Sequence, residues 1–263
     1  MTPLGLPVED ILDRLKQQLS ERHEVVLEAP PGAGKTTLVP LALIDEPWLK
    51  HRKILMLEPR RIATRSAAYR MASLLNERPG QTIGYRMRLD TKVSKQSKVE
   101  VITEGILTRM LQDDPSLGEV GLVIFDEFHE RSLDSDLALS LCLKGRALFR
   151  DDLNPLKILV MSATLDSNAI SELLGGAPVV KSQGRAYPVD IIYGHAIKAN
   201  DRITDRMVAT IKHVIVENPS SSLLAFLPGQ GEIRRIADEL SNWIFDRKLQ
   251  GIHLRPLYGN LSI

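Results

Sequence analysis

Residues 29–37 read APPGAGKTT, between the run EVVLE (24–28) and the apolar run LVPLALI (38–44). No other stretch constrains the fold as much, because a phosphate loop needs a buried strand before it and a helix after it. A polyphosphate is held by several backbone N–H groups converging on it. Gly32 and Gly34 allow that close curl, and the N-terminus of the following helix favours the anion. Lys35 would reach the β- and γ-phosphates, and the Thr36 hydroxyl would ligate Mg²⁺. The candidate nucleotide-binding residues are therefore Pro31, Gly32, Ala33, Gly34, Lys35, Thr36 and Thr37, with ATP and Mg²⁺ as the implied cofactors. The strict pattern begins with Gly, where this chain has Ala29. The alternative is a glycine-rich turn of purely structural use.

A second signal is GLVIFDEFHER (121–131), an apolar run ending in two carboxylates. Asp126 at a strand end can hold Mg²⁺, and Glu127 can serve as general base toward an attacking water. Two acids there could also be a helix cap and a first-turn acid. Hydrolysis of ATP needs both a phosphate loop and such an acid pair, and they occur in the right order. His129 stands beside the pair. If the sheet is parallel, it also stands beside the strand end carrying Ser162, Ala163 and Thr164, so Ser162, Thr164 and His129 could couple the γ-phosphate state to movement.

The rest of the chain alternates short apolar runs with helical stretches, which predicts α/β with a parallel sheet. The expected strands are 24–28, 53–58, 99–103, 122–126 and 157–162. The expected helices include 11–19, 62–75 and 134–149. The Gly- and Pro-bearing segment 173–194 reads as a strand pair and holds the crossing to a second unit, near 176–186. That unit has helices at 203–218 and 231–246 and strands at 222–227 and 251–258. The domains expected are 1–178 and a partial second one, 179–263, whose few strands suggest truncation. Its FLPGQGEI (226–233) repeats the strand–loop–helix logic without Lys-Thr, so no second ATP is expected there.

Bulk properties exclude some classes. No apolar run approaches the ~18 residues that span a bilayer, and the N-terminus does not read as a secretory signal; a soluble, cytoplasmic protein is expected. The single cysteine, Cys142, permits no intrachain disulfide and reads as a buried small residue. The net charge of +1 is no global mark of nucleic-acid binding, yet residues 51–100 hold twelve Lys and Arg against four Asp and Glu. That window could contact phosphates or be a solvated basic face. Within it, Arg60 and Arg61 follow a strand, where they could meet a phosphate backbone. Just beyond it, Thr103, Glu104 and Gly105 open the next helix, where N–H groups could do the same. Either could be only a helix start.

Taken together, APPGAGKTT, EPRRIATRSAA, TEGILTRML, DEFHER, SAT and FLPGQGEI, in that order, resemble the DEAH/RHA helicases of superfamily 2 over most of residues 24–263. Phe128, where most of that family has Ala, and the ending PLYGNLS look most like its bacterial HrpB-type branch. The resemblance implies two RecA-like domains, the second truncated here, with ATP between them and single-stranded RNA, or DNA, across their top. It implies that Lys35, Thr36, Asp126 and Glu127 carry hydrolysis. It implies that Arg60, Arg61, Thr103, Glu104, Gly105 and Gly229 belong to motifs touching the nucleic-acid backbone, and that Arg70 stacks on adenine. A monomer is expected. The family's later arginine-rich motif has no counterpart, so the resemblance implies ATP binding with weak turnover. Two other readings are a DNA helicase and a nucleotide-dependent RNA-binding scaffold without turnover; an intact Glu127 argues against the scaffold.

Overall fold

The computed structural model describes residues 4–151, 153–163, 167–184, 188–194, 196 and 201–258. Its centre is an eight-stranded sheet of order β4-β3-β5-β2-β6-β7-β1-β8. The strands are β1 (Glu24–Glu28), β2 (Lys53–Leu57), β3 (Ile83–Met87), β4 (Asp90–Lys92), β5 (Val99–Ile102), β6 (Val120–Phe125), β7 (Lys157–Ser162) and β8 (Val179–Lys181). All neighbours run parallel except β3 and β4, an antiparallel edge pair.

The near-continuous apolar strands follow from burial on both faces, as parallel sheets require. Side chains alternate between two cores, as the two-residue period of a strand dictates. Val25, Leu27, Ile54, Met56, Ile124 and Met161 join one core, against helices α1 (Leu12–Glu21), α2 (Lys35–Leu43) and α3 (Arg61–Leu74). Val26, Leu55, Leu57, Phe125 and Val160 join the other, against α4 (Glu104–Asp113), α5 (Leu133–Phe149) and α6 (Ser167–Leu173). Among the described residues no helix is long and apolar enough to cross a membrane.

The five expected strands of the first unit and its main helices are present, with ends shifted by a residue or two. The β3–β4 hairpin was not foreseen. Its buried Ile83, Tyr85 and Met87 alternate with Gly84, Arg86 and Arg88, a strand pattern hidden in a charged window. Gly84 is required there, because a Cβ would lie 2.7 Å from the Lys92 carbonyl oxygen.

Two compact units divide at Tyr187/Pro188 rather than at 178/179. The reason is β8, which pairs in parallel with β1 and so belongs to the first sheet. The segment 173–194 thus supplies one described strand in place of a pair. Residues 185–187, at the edge of the expected crossing, lie outside the described residues.

The second unit contains α7 (Ile203–Glu217) and α8 (Gln230–Asp246), packed through Val208, Ile211, Ile236 and Leu240. Strands expected at 222–227 and 251–258 are absent among the described residues. Their apolar side chains are in place: Ala225, Leu227 and Leu254 lie on the helices, while Leu224, Phe226 and Leu257 are exposed. A strand exists only through a ladder with a neighbour, and none of the described segments supplies one.

Candidate functional site

Parallel strands bring their C-terminal ends to one edge, where open α/β sheets place their ligands. Along that edge β1 leads to the loop 29–34, β7 to Ser162, β6 to Asp126, β2 to Glu58 and β5 to Thr103. The chain passes from β1 to β2 across β7 and β6, so the order of strands reverses beside the loop.

The loop is held from both sides. The Ala29 N–H donates to the Ser162 carbonyl at 3.0 Å, and the Val8 N–H donates to the Ala33 carbonyl at 3.1 Å. Gly32 and Gly34 take φ of +77° and +92°, and a Cβ on Gly34 would come within 2.8 Å of Leu6. Both glycines are therefore demanded by the backbone, and the packing under Gly34 comes from an N-terminal segment that local motif reading did not connect to the loop.

Opposite the loop stands the acid pair. Lys35 is 4% exposed, and its Nζ lies 2.8 Å from Glu127 Oε1. The Thr36 hydroxyl donates to Asp126 Oδ2 at 2.5 Å, and Asp126 Oδ1 accepts from the Glu127 N–H at 2.8 Å. Glu127 itself has φ of +49°, a left-handed conformation that a branched or long side chain seldom adopts and that tends to persist at functional sites. These four residues, drawn from two separate motifs, lie together in the structure, with Lys35 and Glu127 92 positions apart in the chain.

His129 accepts the Ala163 N–H on Nδ1 at 3.3 Å, which leaves its ring proton on Nε2, 3.4 Å from Glu127 Oε2. The imidazole therefore bridges the acid pair to the end of β7. Ser162 is fully buried beside it; Thr164 lies outside the described residues.

One group was missed. Glu58 is 3% exposed at the end of β2. Burial, with Asp126 as hydrogen-bonded neighbour and Glu127 nearby, pushes its carboxyl up to about 9. Burial also raises Asp126, aided by Glu127 and opposed by the Thr36 hydroxyl and Lys35. Two carboxyls this close in a dry site do not both ionise readily, and a Glu58 carboxyl pushed up to about 9 keeps its proton at neutral pH. The available signal was an acid directly after the apolar run 54–57, in line with the strand that leads to Asp126.

The expected nucleic-acid residues divide. Arg60 pairs with Glu130, and Arg61 donates to the Arg88 carbonyl at 3.1 Å. Thr103 occupies the N-cap position of α4, with no capping hydrogen bond from its side chain, and Gly105 is exposed there. Glu104 is the first residue of α4, and its carboxylate accepts from the hydroxyls of Ser132 and Ser135, at 2.5 and 2.9 Å, which ties α4 to the start of α5. Arg70 is exposed on α3 without a hydrogen-bond or ion-pair partner among the described residues. Gly229 is the N-cap of α8 in the second unit.

The thiol of Cys142 is fully buried, and burial pushes it up to about 12, so it is a packing residue.

Comparison with known proteins gives the same reading. The chain is 49% identical over 259 residues to the ATP-dependent RNA helicase HrpB of Escherichia coli, covering 98% of this chain and 31% of that protein. It is 33% identical to the ATP-dependent RNA helicase HrpA of Borreliella burgdorferi, again over 31% of the relative. The chain therefore spans about a third of the length of these curated relatives. The crystal structure of the E. coli DEAH/RHA helicase HrpB superposes with a TM-score of 0.88 at 48% identity, over 98% of this chain and 32% of that one. The DEAD/DEAH box helicase family model matches residues 11–173, more than half the chain and the whole of the edge just described, so the chain belongs to the DEAD/DEAH box helicase family.

Proposed function

We propose that the chain is the ATP-binding part of an RNA helicase, in which hydrolysis of Mg-ATP at the β1–β6 edge is stimulated by single-stranded RNA lying beside it. The observation that carries this reading is the paired meeting of Lys35 with Glu127 and Thr36 with Asp126, two phosphate-loop residues against two carboxylates.

The site suits Mg²⁺, which prefers hard oxygen donors and keeps several waters and substrate phosphate oxygens. Thr36 Oγ1 and Asp126 Oδ2 are adjacent oxygens at the loop. No group of three or more His, Cys, Asp or Glu gathers around a metal position among the described residues, so the remaining ligands would be phosphate and water. Bound there, Mg²⁺ would neutralise charge on the β- and γ-oxygens.

When a triphosphate enters, its oxygens compete with Glu127 for the Lys35 ammonium. Lys35 then holds phosphate, and Glu127 is released to take the proton of a water attacking the γ-phosphorus. His129 holds the Glu127 carboxylate in place from its other side. The loop N–H groups and the α2 N-terminus stabilise the departing ADP oxygens.

RNA over DNA follows the names of the relatives, HrpB and HrpA. Arg60, Arg61 and Thr103 are proposed to face the backbone, since they share the edge with the acid pair. Residues 188–263 are proposed to be part of a second RecA-like domain, supported by two helices whose adjoining apolar segments lack ladder partners among the described residues. A cytoplasmic protein is proposed in keeping with the lone, buried thiol, which suits a reducing compartment, and a monomer is proposed with it.

The test is binding of a fluorescent ATP analogue with Mg²⁺, then phosphate release with and without single-stranded RNA or DNA of one sequence. Lys35→Ala should weaken nucleotide binding at least about tenfold, since it removes a charge-assisted contact. Release should rise more with RNA than with DNA. Equal nucleotide binding by wild type and Lys35→Ala would refute the site; equal stimulation by both nucleic acids would refute the choice of RNA.

A further inference from the structure

Arg60 and Glu130 meet across neighbouring strand ends. Arg60 follows β2 and Glu130 closes the 3₁₀ turn Phe128–Glu130 after β6. Arg60 Nη2 lies 3.0 Å from Glu130 Oε1, and Nε lies 3.3 Å from Oε2. The guanidinium thus presents two donors to two oxygens, the arrangement in which arginine also grips a phosphodiester.

The pair is open to solvent, with 72% of the Arg60 side chain and 36% of Glu130 exposed. Such a pair contributes little to stability, so a phosphate can replace it. Glu130 is also closely joined to the hydrolytic carboxylate. Its N–H donates to the Glu127 carbonyl at 2.9 Å, and the Arg131 N–H donates to the Phe128 carbonyl at 3.2 Å. Between them Phe128 is buried, edge-on to Phe125 at 6.1 Å. Phe128 anchors the turn, and the two glutamates sit at its two ends.

We propose that Glu130 is a positioning residue that occupies, on Arg60, the place of an RNA backbone phosphate, and that its displacement by RNA passes through the turn to Glu127. The proposal rests on the reading above that Arg60 faces the RNA backbone. In the absence of RNA the carboxylate keeps Arg60 oriented and neutralised. When RNA binds, Arg60 changes partner, Glu130 is freed, and the turn that fixes Glu127 beside Lys35 and His129 loses an outer tie, while the Arg131–Asp136 pair at 3.0 Å and the His129–Ala163 hydrogen bond remain. Occupancy of the RNA face would thereby reach the base without any long-range rearrangement.

The experiment is a double-mutant cycle on binding of a fluorescein-labelled oligouridylate to the wild-type chain, Glu130→Gln, Arg60→Ala and the double variant, at low salt. Glu130→Gln should tighten binding about two- to fivefold, the range in which an exposed competitor pair acts. Arg60→Ala should weaken it, and Glu130→Gln should then change nothing further. Equal tightening in both backgrounds would overturn the proposal, because it would mean only a lowered general repulsion. So would no tightening while Arg60→Ala weakens binding. If Arg60→Ala leaves affinity unchanged, the placement of RNA on Arg60 is wrong and the proposal falls with it. A merely structural role for Glu130 would not produce coupling that depends on Arg60.

Discussion

Replacing Glu58 by Gln should make the first unit more stable at neutral pH and leave it nearly unchanged in mild acid. The Glu58 carboxyl ordinarily titrates at 4.5, and in the fold it is pushed up to about 9 by burial and by Asp126. Between those values the unfolded chain loses the proton while the folded chain keeps it. The folded state then binds more protons, so its stability falls as pH rises, by about 1.4 kcal/mol per pH unit. From about pH 5 to about pH 7 the loss is roughly 2–3 kcal/mol. A glutamine cannot ionise, yet its amide N–H can still donate to Asp126, so the variant escapes the loss while keeping the contact. The assay is urea unfolding in EDTA without nucleotide, at several pH values, followed by Trp48 fluorescence in a Trp243→Phe background. Trp48 lies in the first unit and Trp243 in α8 of the second. The gap between Glu58→Gln and wild type should widen steadily with pH. A gap that stays constant would show that Glu58 does not hold a proton in the fold, and the account of the acid cluster would be wrong.

Glu127→Gln should keep Mg-ATP affinity within a few-fold yet slow phosphate release by about 10²–10⁴, the usual worth of a positioned base; equal rates would remove Glu127 from the chemistry. Gly145→Ala should destabilise the first unit by about 1–3 kcal/mol, although Ala favours helices, because its Cβ would lie 2.3 Å from the Pro115 carbonyl oxygen; a gain in the urea midpoint would refute that contact. Cys142 should resist a thiol reagent in the folded protein and react on denaturation, since its thiol is buried and pushed up to about 12; rapid labelling of the native chain would show the α5 face to be open.

Much of the first unit was legible because its information is local. The five strands expected from the sequence are short, mostly apolar runs, and APPGAGKTT and DEFHER each carry their chemistry in consecutive residues. The sequence by itself therefore determined the class of fold, the succession of strands and helices in most of the first unit, and the lysine, threonine and two carboxylates proposed to meet the nucleotide. It did not determine who pairs with whom. The partners of the Glu104 carboxylate, two serines 28 and 31 positions later, are not written in the motif that holds it. β8 was expected beyond the domain boundary, but its hydrogen bonds go to β1. The apolar segments 222–227 and 251–258 have strand composition without a ladder among the described residues. The proton on Glu58 and the Arg60–Glu130 pair are likewise invisible in the string, because burial and pairing belong to the tertiary structure. Alternation and propensity act within a few residues; hydrogen-bond partners and desolvation are set only when distant strand ends are brought to one edge of the sheet.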